Sequence, residues 1–220
     1  MELGHLSAAG PFGGTTYLGW IWSGMQVTVA LSLAAWVIAF LLGSLLGILR
    51  TLPSRPLAMI GAIYVELFRN VPLIVQFLPG IWWCRSCCRP TGATGSKASW
   101  IRRSSFCLLA AVPGLFTAAR VCEQVRAAIQ SLPAGQRHAG LAMGFTLPQT
   151  YRYVLLPNAY RVIVPPLTSE MLNLVKNSAI ASTIGLMEMA AQAGKLLDYS
   201  AHAYESFTAI TRPISPSTAC

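Results

Sequence analysis

Glu66, Arg69 and Asn70 interrupt a stretch that is otherwise apolar from Leu57 to about Leu78. Arg120 does the same after Phe106, and Glu170, Lys176 and Asn177 break the apolar run from Tyr160 to Ile184. Charge at membrane depth is expensive, so such residues usually face protein or mark a pathway for an ion or polar solute. Glu66 and Arg69 stand three residues apart, which lets one helical face pair them. That spacing suits a structural ion pair between packed helices as well as it suits a substrate pathway.

A second chemical candidate is the run from Cys84 to Cys88, where three cysteines fall within five residues. Zinc wants four ligands at suitable spacing. These cysteines have no nearby histidine, and Cys87 and Cys88 are adjacent, so neither a metal nor a redox site is expected. His5, His138 and His202 are scattered without ligand spacing, and no Ser/His/Asp, Cys/His or paired-carboxylate constellation points to an enzyme.

The elements that must position these residues follow from composition. Of 220 residues 54% are hydrophobic and only 10% charged, against roughly a quarter charged in soluble domains. Mean hydropathy is +0.54. The reading is an all-α, polytopic helical bundle in a membrane. Trp20 to Leu49 is the clearest span, longer than the roughly 20 residues a bilayer needs. Trp20 and Trp22 suit an interfacial belt, and Pro53 and Pro56 should stop the helix. Arg50 and Arg55 follow it, whereas Glu2 and His5 are the ionisable side chains before it, which places the N-terminus outside and the Arg50–Arg55 loop in the cytoplasm. The net charge of +9 then reflects topology rather than nucleic-acid binding. The opening residues lack the basic and apolar regions of a cleavable signal peptide.

Phe106 to Cys122 is a shorter apolar stretch marred by Pro113 and Arg120, and Ala190 to Ile210 is too polar for a clear span. Glu123 to Arg152 is amphipathic and basic, hence a cytoplasmic loop. Within it Ala139, Leu141, Ala142 and Met143 predict a short helix, stopped by Gly144 as a left-handed C-cap. The residues after Pro148 predict a second short helix, ending before Pro157. Such a knob could dock in a partner's groove or lie on lipid headgroups.

The spacing of His138, Ala139 and Gly140, then Gly144, then Val154, Leu156 and Pro157 resembles the coupling loop of ABC importer permeases: E-A-A, three residues, Gly, nine residues, I-x-L-P. His138 replaces the glutamate and Gly140 the second alanine. YVELFRNVPLIVQ, from Tyr64 to Gln76, is similar to a further signature of the polar amino-acid (histidine/glutamate/aspartate) branch. The likeness continues through residues 11–77 and 114–211 and runs closest to members that import glutamate and aspartate. It implies a five-helix permease domain over 20–211, preceded by an extracytoplasmic segment at 1–19, in a bacterial inner membrane. The implied partners are a second permease subunit, a cytoplasmic ATPase dimer that binds the ATP, a periplasmic amino-acid-binding protein and membrane lipids. The chain has no phosphate-binding G-x-x-x-x-G-K-[ST] loop and needs no cofactor of its own. An acidic amino acid needs cationic or amide groups near the midplane, for which Arg69, Asn70, Arg120, Lys176 and Asn177 are candidates beside Glu66.

Residues 78–107 depart from that likeness. They hold four of the six cysteines, five of the sixteen basic residues and none of the seven acidic ones. Read in a frame using the last base of each codon and the next two, codons for Pro79 to Pro90 can yield Trp-Tyr-Leu-Val-Val-Pro-Glu-Leu-Leu-Pro-Thr, an apolar helix end. Arg212 to Ala219 re-reads similarly as the start of a last membrane helix. The expectation is a frame shifted near Phe77, restored before Gly114 and shifted again near Thr211, leaving irregular backbone over 78–107, an aberrant tail at 212–220 and no final span. A non-functional truncated product, or a membrane scaffold without transport, are the alternative readings. Sequencing the gene should show single-base shifts at these points; unbroken in-frame coding in independent reads would refute them.

Overall fold

The computed structural model describes residues 17–79, 97–184 and 186–200. Among them the backbone is helical, with no strand. The order is α1 (Tyr17–Leu49), α2 (Arg55–Asn70), α3 (Leu73–Pro79), α4 (Lys97–Ser131), α5 (Ala134–Ala142), α6 (Leu147–Thr150), α7 (Leu156–Asn177) and α8 (Met189–Ser200). A π-helical turn, Tyr151–Leu155, joins α6 to α7, and a 3-10 segment, Ser178–Ile184, follows α7. The chain divides into two compact units, Leu33–Leu174 and a second formed by the residues up to Ser32 with those from Val175 onward.

The larger unit is organised by a seam of small residues. Ala35, Ala39, Gly43 and Gly47 recur every fourth position of α1 and so share one face. A Cβ on Gly43 would lie 2.7 Å from the Ala118 carbonyl oxygen of α4, and one on Gly47 2.7 Å from Val125 Cβ. On the α4 side, a Cβ on Gly114 would lie 3.0 Å from the Ala35 carbonyl. The two backbones are in contact, the arrangement that small residues permit between membrane helices. Contacts advance together along both helices, so α1 and α4 run parallel and their C-terminal ends lie on the same side. The opposite face of α1 carries exposed Leu33, Val37, Leu41 and Leu45, which suits lipid. Only α1 is by itself long and apolar enough to cross a bilayer among the described residues.

The second expected span is broken. α2 and α3 pass the same test together but meet at 102°. Pro72 lacks an amide hydrogen and disfavours a helical residue before it; Val71 is accordingly extended, at φ −96° and ψ 124°. The exposed end of α2 is closed by the Gln76 amide, which donates to the carbonyls of Phe68 and Val71, each at 2.9 Å. Tyr64 fixes α2 to α4 by donating to the Leu115 carbonyl at 2.7 Å.

Other expectations are corrected in the same way. α4 is one 35-residue helix that passes through Pro113 and extends beyond Cys122 to Ser131. Irregular backbone over 78–107 is not found where the chain is described: Leu78 and Pro79 end α3, and Lys97 to Cys107 are helical, in keeping with a run free of glycine and proline from Lys97 to Val112. Residues 80–96, and with them the cysteine cluster, lie outside the described residues, as do 1–16 and the tail at 212–220. The helix after Pro148 does not end before Pro157. The Leu156 amide bonds to the Tyr151 carbonyl across a π turn, and this wider turn just before Pro157 accommodates a ring that an α-helical turn would set against the carbonyl four residues back. α8 covers the first half of the Ala190–Ile210 stretch.

In the smaller unit the buried Glu188 caps α8. Its carboxylate accepts from the Ala191 amide at 3.0 Å and from Thr28 Oγ1 at 3.2 Å, while Thr28 Oγ1 accepts from the Met189 amide at 3.1 Å.

The α1–α4 seam sets a sharp expectation. Gly47→Leu should destabilise the detergent-solubilised protein by about 1–3 kcal/mol, as overpacking does. Leu41→Phe, an enlargement on the exposed face of the same helix, should be near neutral. Thermal unfolding of the two variants measures the difference.

Candidate functional site

Two features of the larger unit concentrate polar chemistry and exposed apolar surface. The first is a cleft between α2, α4 and α7. Arg50, just past α1, crosses α2 at Gly61, where a Cβ would lie 2.5 Å from Arg50 Cγ. Its guanidinium donates to Glu123 Oε1 of α4, and Arg126 Nε donates to Glu123 Oε2 at 3.2 Å. Burial by itself would raise the Glu123 pKa; the hydrogen bonds and charges of Arg50 and Arg126 outweigh it and leave the pKa lowered. The same balance, with burial opposing, leaves Arg50 raised. The clamp therefore contributes stability at neutral pH and loses it as pH falls through the depressed Glu123 value.

One turn earlier on α4, Arg120 Nη1 faces Glu170 of α7, at 3.5 Å from Oε1 and 3.4 Å from Oε2. Gln124 Nε2 lies 3.4 Å from Glu170 Oε1. The Arg120 guanidinium sits 5.4 Å from the Phe116 ring centre, a cation–π contact. A cavity of about 360 Å³ is lined by Arg69, Phe116, Arg120, Glu123 and Glu170. A second, of about 350 Å³, is lined by Arg50, Ala62, Val65, Glu66, Arg69, Asn70 and Glu123.

Four of the six polar residues singled out in the sequence thus converge: Glu66, Arg69 and Asn70 from α2, and Arg120 from α4. Of the two readings the Glu66–Arg69 spacing allowed, the ion pair does not form. The ion pairs among the described residues are Arg50–Glu123, Arg126–Glu123 and Arg120–Glu170. Arg69 and Glu66 line the cleft on the exposed face of α2 without partners among those residues. Lys176 and Asn177 end α7 in the smaller unit, Lys176 exposed and Asn177 half-buried, and line neither cavity. Sequence reasoning passed over Glu170, Glu123 and Arg50 as site residues. Glu170 carried the same signal as Glu66, a carboxylate inside an apolar run; Glu123 and Arg126, three apart, carried the signal of a helical pair.

The second feature is the knob around Gly144. α5 ends as expected: Gly144 has φ +86°, its amide bonds to the Leu141 carbonyl at 3.0 Å, and the Phe145 amide reaches back to the Gly140 carbonyl at 3.2 Å. These two bonds make a Schellman motif. Thr146 and Gln149 then form a capping box that starts α6. Gly140 is buried because Thr150 packs on it; a Cβ there would lie 2.7 Å from Thr150 Cγ2. Tyr151 donates to the Thr51 carbonyl at 2.8 Å, which ties the knob to the loop after α1. Asn158 Nδ2 reaches Gln136 Oε1 at 3.3 Å and so closes α5 against α7.

His138 and Ala139 are exposed on α5, Val154 and Leu156 are half-buried, and Pro157 is exposed. Leu141, Phe145, Tyr153 and above all Met143, 65% exposed, cover the tip with apolar surface. Phe145 and Tyr153 pack at 6.3 Å between ring centres, and Arg152 lies 5.8 Å from the Tyr153 ring centre. The tip is apolar, with the Arg152 guanidinium at its border.

Comparison with known proteins gives this geometry a context. Residues 39–218 match the family model described as the binding-protein-dependent transport system inner membrane component. The chain is 67% identical to the glutamate/aspartate import permease protein GltJ of Escherichia coli K12, in an alignment that covers 91% of this chain and 82% of that protein. A solved amino acid ABC transporter, determined with histidines, superposes with a TM-score of 0.71 at 25% identity over 90% of this chain and 87% of that one. An inward-facing structure of the methionine transporter MetNI shares the fold, with a TM-score of 0.72 at 22% identity over 92% of this chain and 94% of that one. The chain belongs to the family of binding-protein-dependent transport system inner membrane components and is a permease subunit of an ABC importer.

Proposed function

We propose that this chain is the multi-pass permease subunit through which an ATP-driven importer carries glutamate and aspartate across a bacterial inner membrane. The observation that carries the reading is the 67% identity over nearly the whole chain to a protein named for glutamate/aspartate import. The cleft supports it. A zwitterion with an extra carboxylate needs cations and one anion; Arg69 and Arg120 line one cavity of ordinary ligand size, and Arg69, Glu66 and Asn70 line the other. Lys176 and Asn177 are further candidates along the pathway.

The knob is the coupling element, with His138, Ala139, Gly140, Gly144, Val154, Leu156 and Pro157 forming or bracing it. Its apolar tip docks in a cleft of a cytoplasmic ATPase, so that closure of the nucleotide-bound ATPase dimer moves α7 directly and the α1–α2 loop through Tyr151. A second permease subunit completes the membrane portion, and a periplasmic amino-acid-binding protein delivers the substrate. The parallel course of α1 and α4 supports this topology. It brings the Arg50–Arg55 loop and the knob to one side, the side that the excess of cations assigns to the cytoplasm.

Met143→Asp changes an exposed side chain, so it should leave the fold intact while weakening association with the ATPase at least about tenfold, as loss of an interface anchor does. Co-purification from membranes measures this, and full ATPase association by the Met143→Asp variant would remove the knob from the docking interface. Arg69→Ala should reduce radiolabelled glutamate uptake about tenfold, and Lys176→Ala serves as the comparison.

A further inference from the structure

The Arg120–Glu170 contact is poorly made for a structural ion pair. A guanidinium–carboxylate pair with good geometry closes to about 2.7–2.9 Å, whereas here both oxygens stand at 3.4–3.5 Å. The Arg120 side chain is 44% exposed to the cavity. Gln124 turns its amide hydrogens toward Glu170 and leaves its own buried oxygen without a partner. Arg120 has a second contact that does not involve Glu170, the Phe116 ring at 5.4 Å. Arg69 lines the same cavity without a partner among the described residues.

Resting on the reading of this cleft as the site for an acidic amino acid, we propose that the substrate inserts into the Arg120–Glu170 pair. Its side-chain carboxylate takes Arg120, its α-carboxylate takes Arg69, and its α-ammonium takes Glu170. Glu170 is then the residue that selects for an amino group. It holds Arg120 loosely while the site is empty, and it repels a dianion that brings no ammonium of its own. Insertion trades one ion pair for three and leaves no substrate charge unpaired, which is what a site of low dielectric requires. When the ammonium leaves, Glu170 returns to Arg120 and displaces the substrate carboxylate.

The test uses the assembled permease–ATPase complex in detergent without the binding protein, with glutamate and glutarate, the same dicarboxylate lacking the amine, as probes in equilibrium dialysis. The parent complex should prefer glutamate to glutarate by about tenfold or more. Glu170→Gln should bind glutarate more tightly and reduce that preference about tenfold. A purely structural Glu170 would weaken or preserve both affinities together. Equal affinity of the parent for the two probes overturns the proposal without any variant, and so does an unchanged ratio in Glu170→Gln. Glutamate uptake by the parent in liposomes distinguishes the two levels of failure: with uptake present only the role of Glu170 falls, and with uptake absent the substrate reading falls with it.

Discussion

The larger unit depends on one steric constraint, the contact between the backbones of α1 and α4. Ala35, Ala39, Gly43 and Gly47 leave no side-chain volume between the helices, and Gly114 and Ala118 answer them from α4. Lipid supplies no hydrophobic force to press membrane helices together, so close packing must do that work. Parallel alignment of α1 and α4 then decides what stands beside what. It sets Arg50, at the end of one helix, next to Glu123 near the end of the other, and it leaves α2 only the path across Arg50 at Gly61.

From that alignment follows the ordering of charge. A carboxylate or guanidinium away from water is tolerated where a partner stands within reach. Glu123 has two such partners and its charged form is favoured against burial. Glu170 has one cation and one amide, both at the limit of contact, and Arg69 has none among the described residues. The gradient runs from a closed clamp at Glu123 of α4 to a looser contact at Arg120, one turn earlier in the helix. The clamp and the knob share a scaffold, since Tyr151 is bound to the loop that carries Arg50.

Much of this was legible in the sequence. α1 announced itself by length and apolarity. The Gly144 turn was readable because a short helical patch ended in a residue free to take φ +86°. The cost of isolated charge singled out Glu66, Arg69, Asn70 and Arg120 one by one, but not that α2 and α4 would bring them to one cleft. Partner choice was not readable. Glu66 and Arg69 have the spacing of a pair, yet α2 exposes both to the cleft while Glu123 and Glu170 draw the arginines of other elements. Proline also misled: it was read as a helix stop at position 157, where the π turn absorbs it, and passed unremarked at position 72, where it breaks α2 from α3. A proline's effect depends on whether the preceding turn can widen, and tertiary packing settles that.

If a cytoplasmic motor acts on the knob, this permease moves acidic amino acids uphill. Reconstitution of the chain with its second permease, ATPase and binding-protein partners in liposomes, followed by the steady-state concentration of labelled glutamate on each side, tests it most directly. ATP-dependent accumulation on the ATPase side, well above the concentration supplied, is the expected result. Equilibration to equal concentrations, with or without ATP, would contradict it.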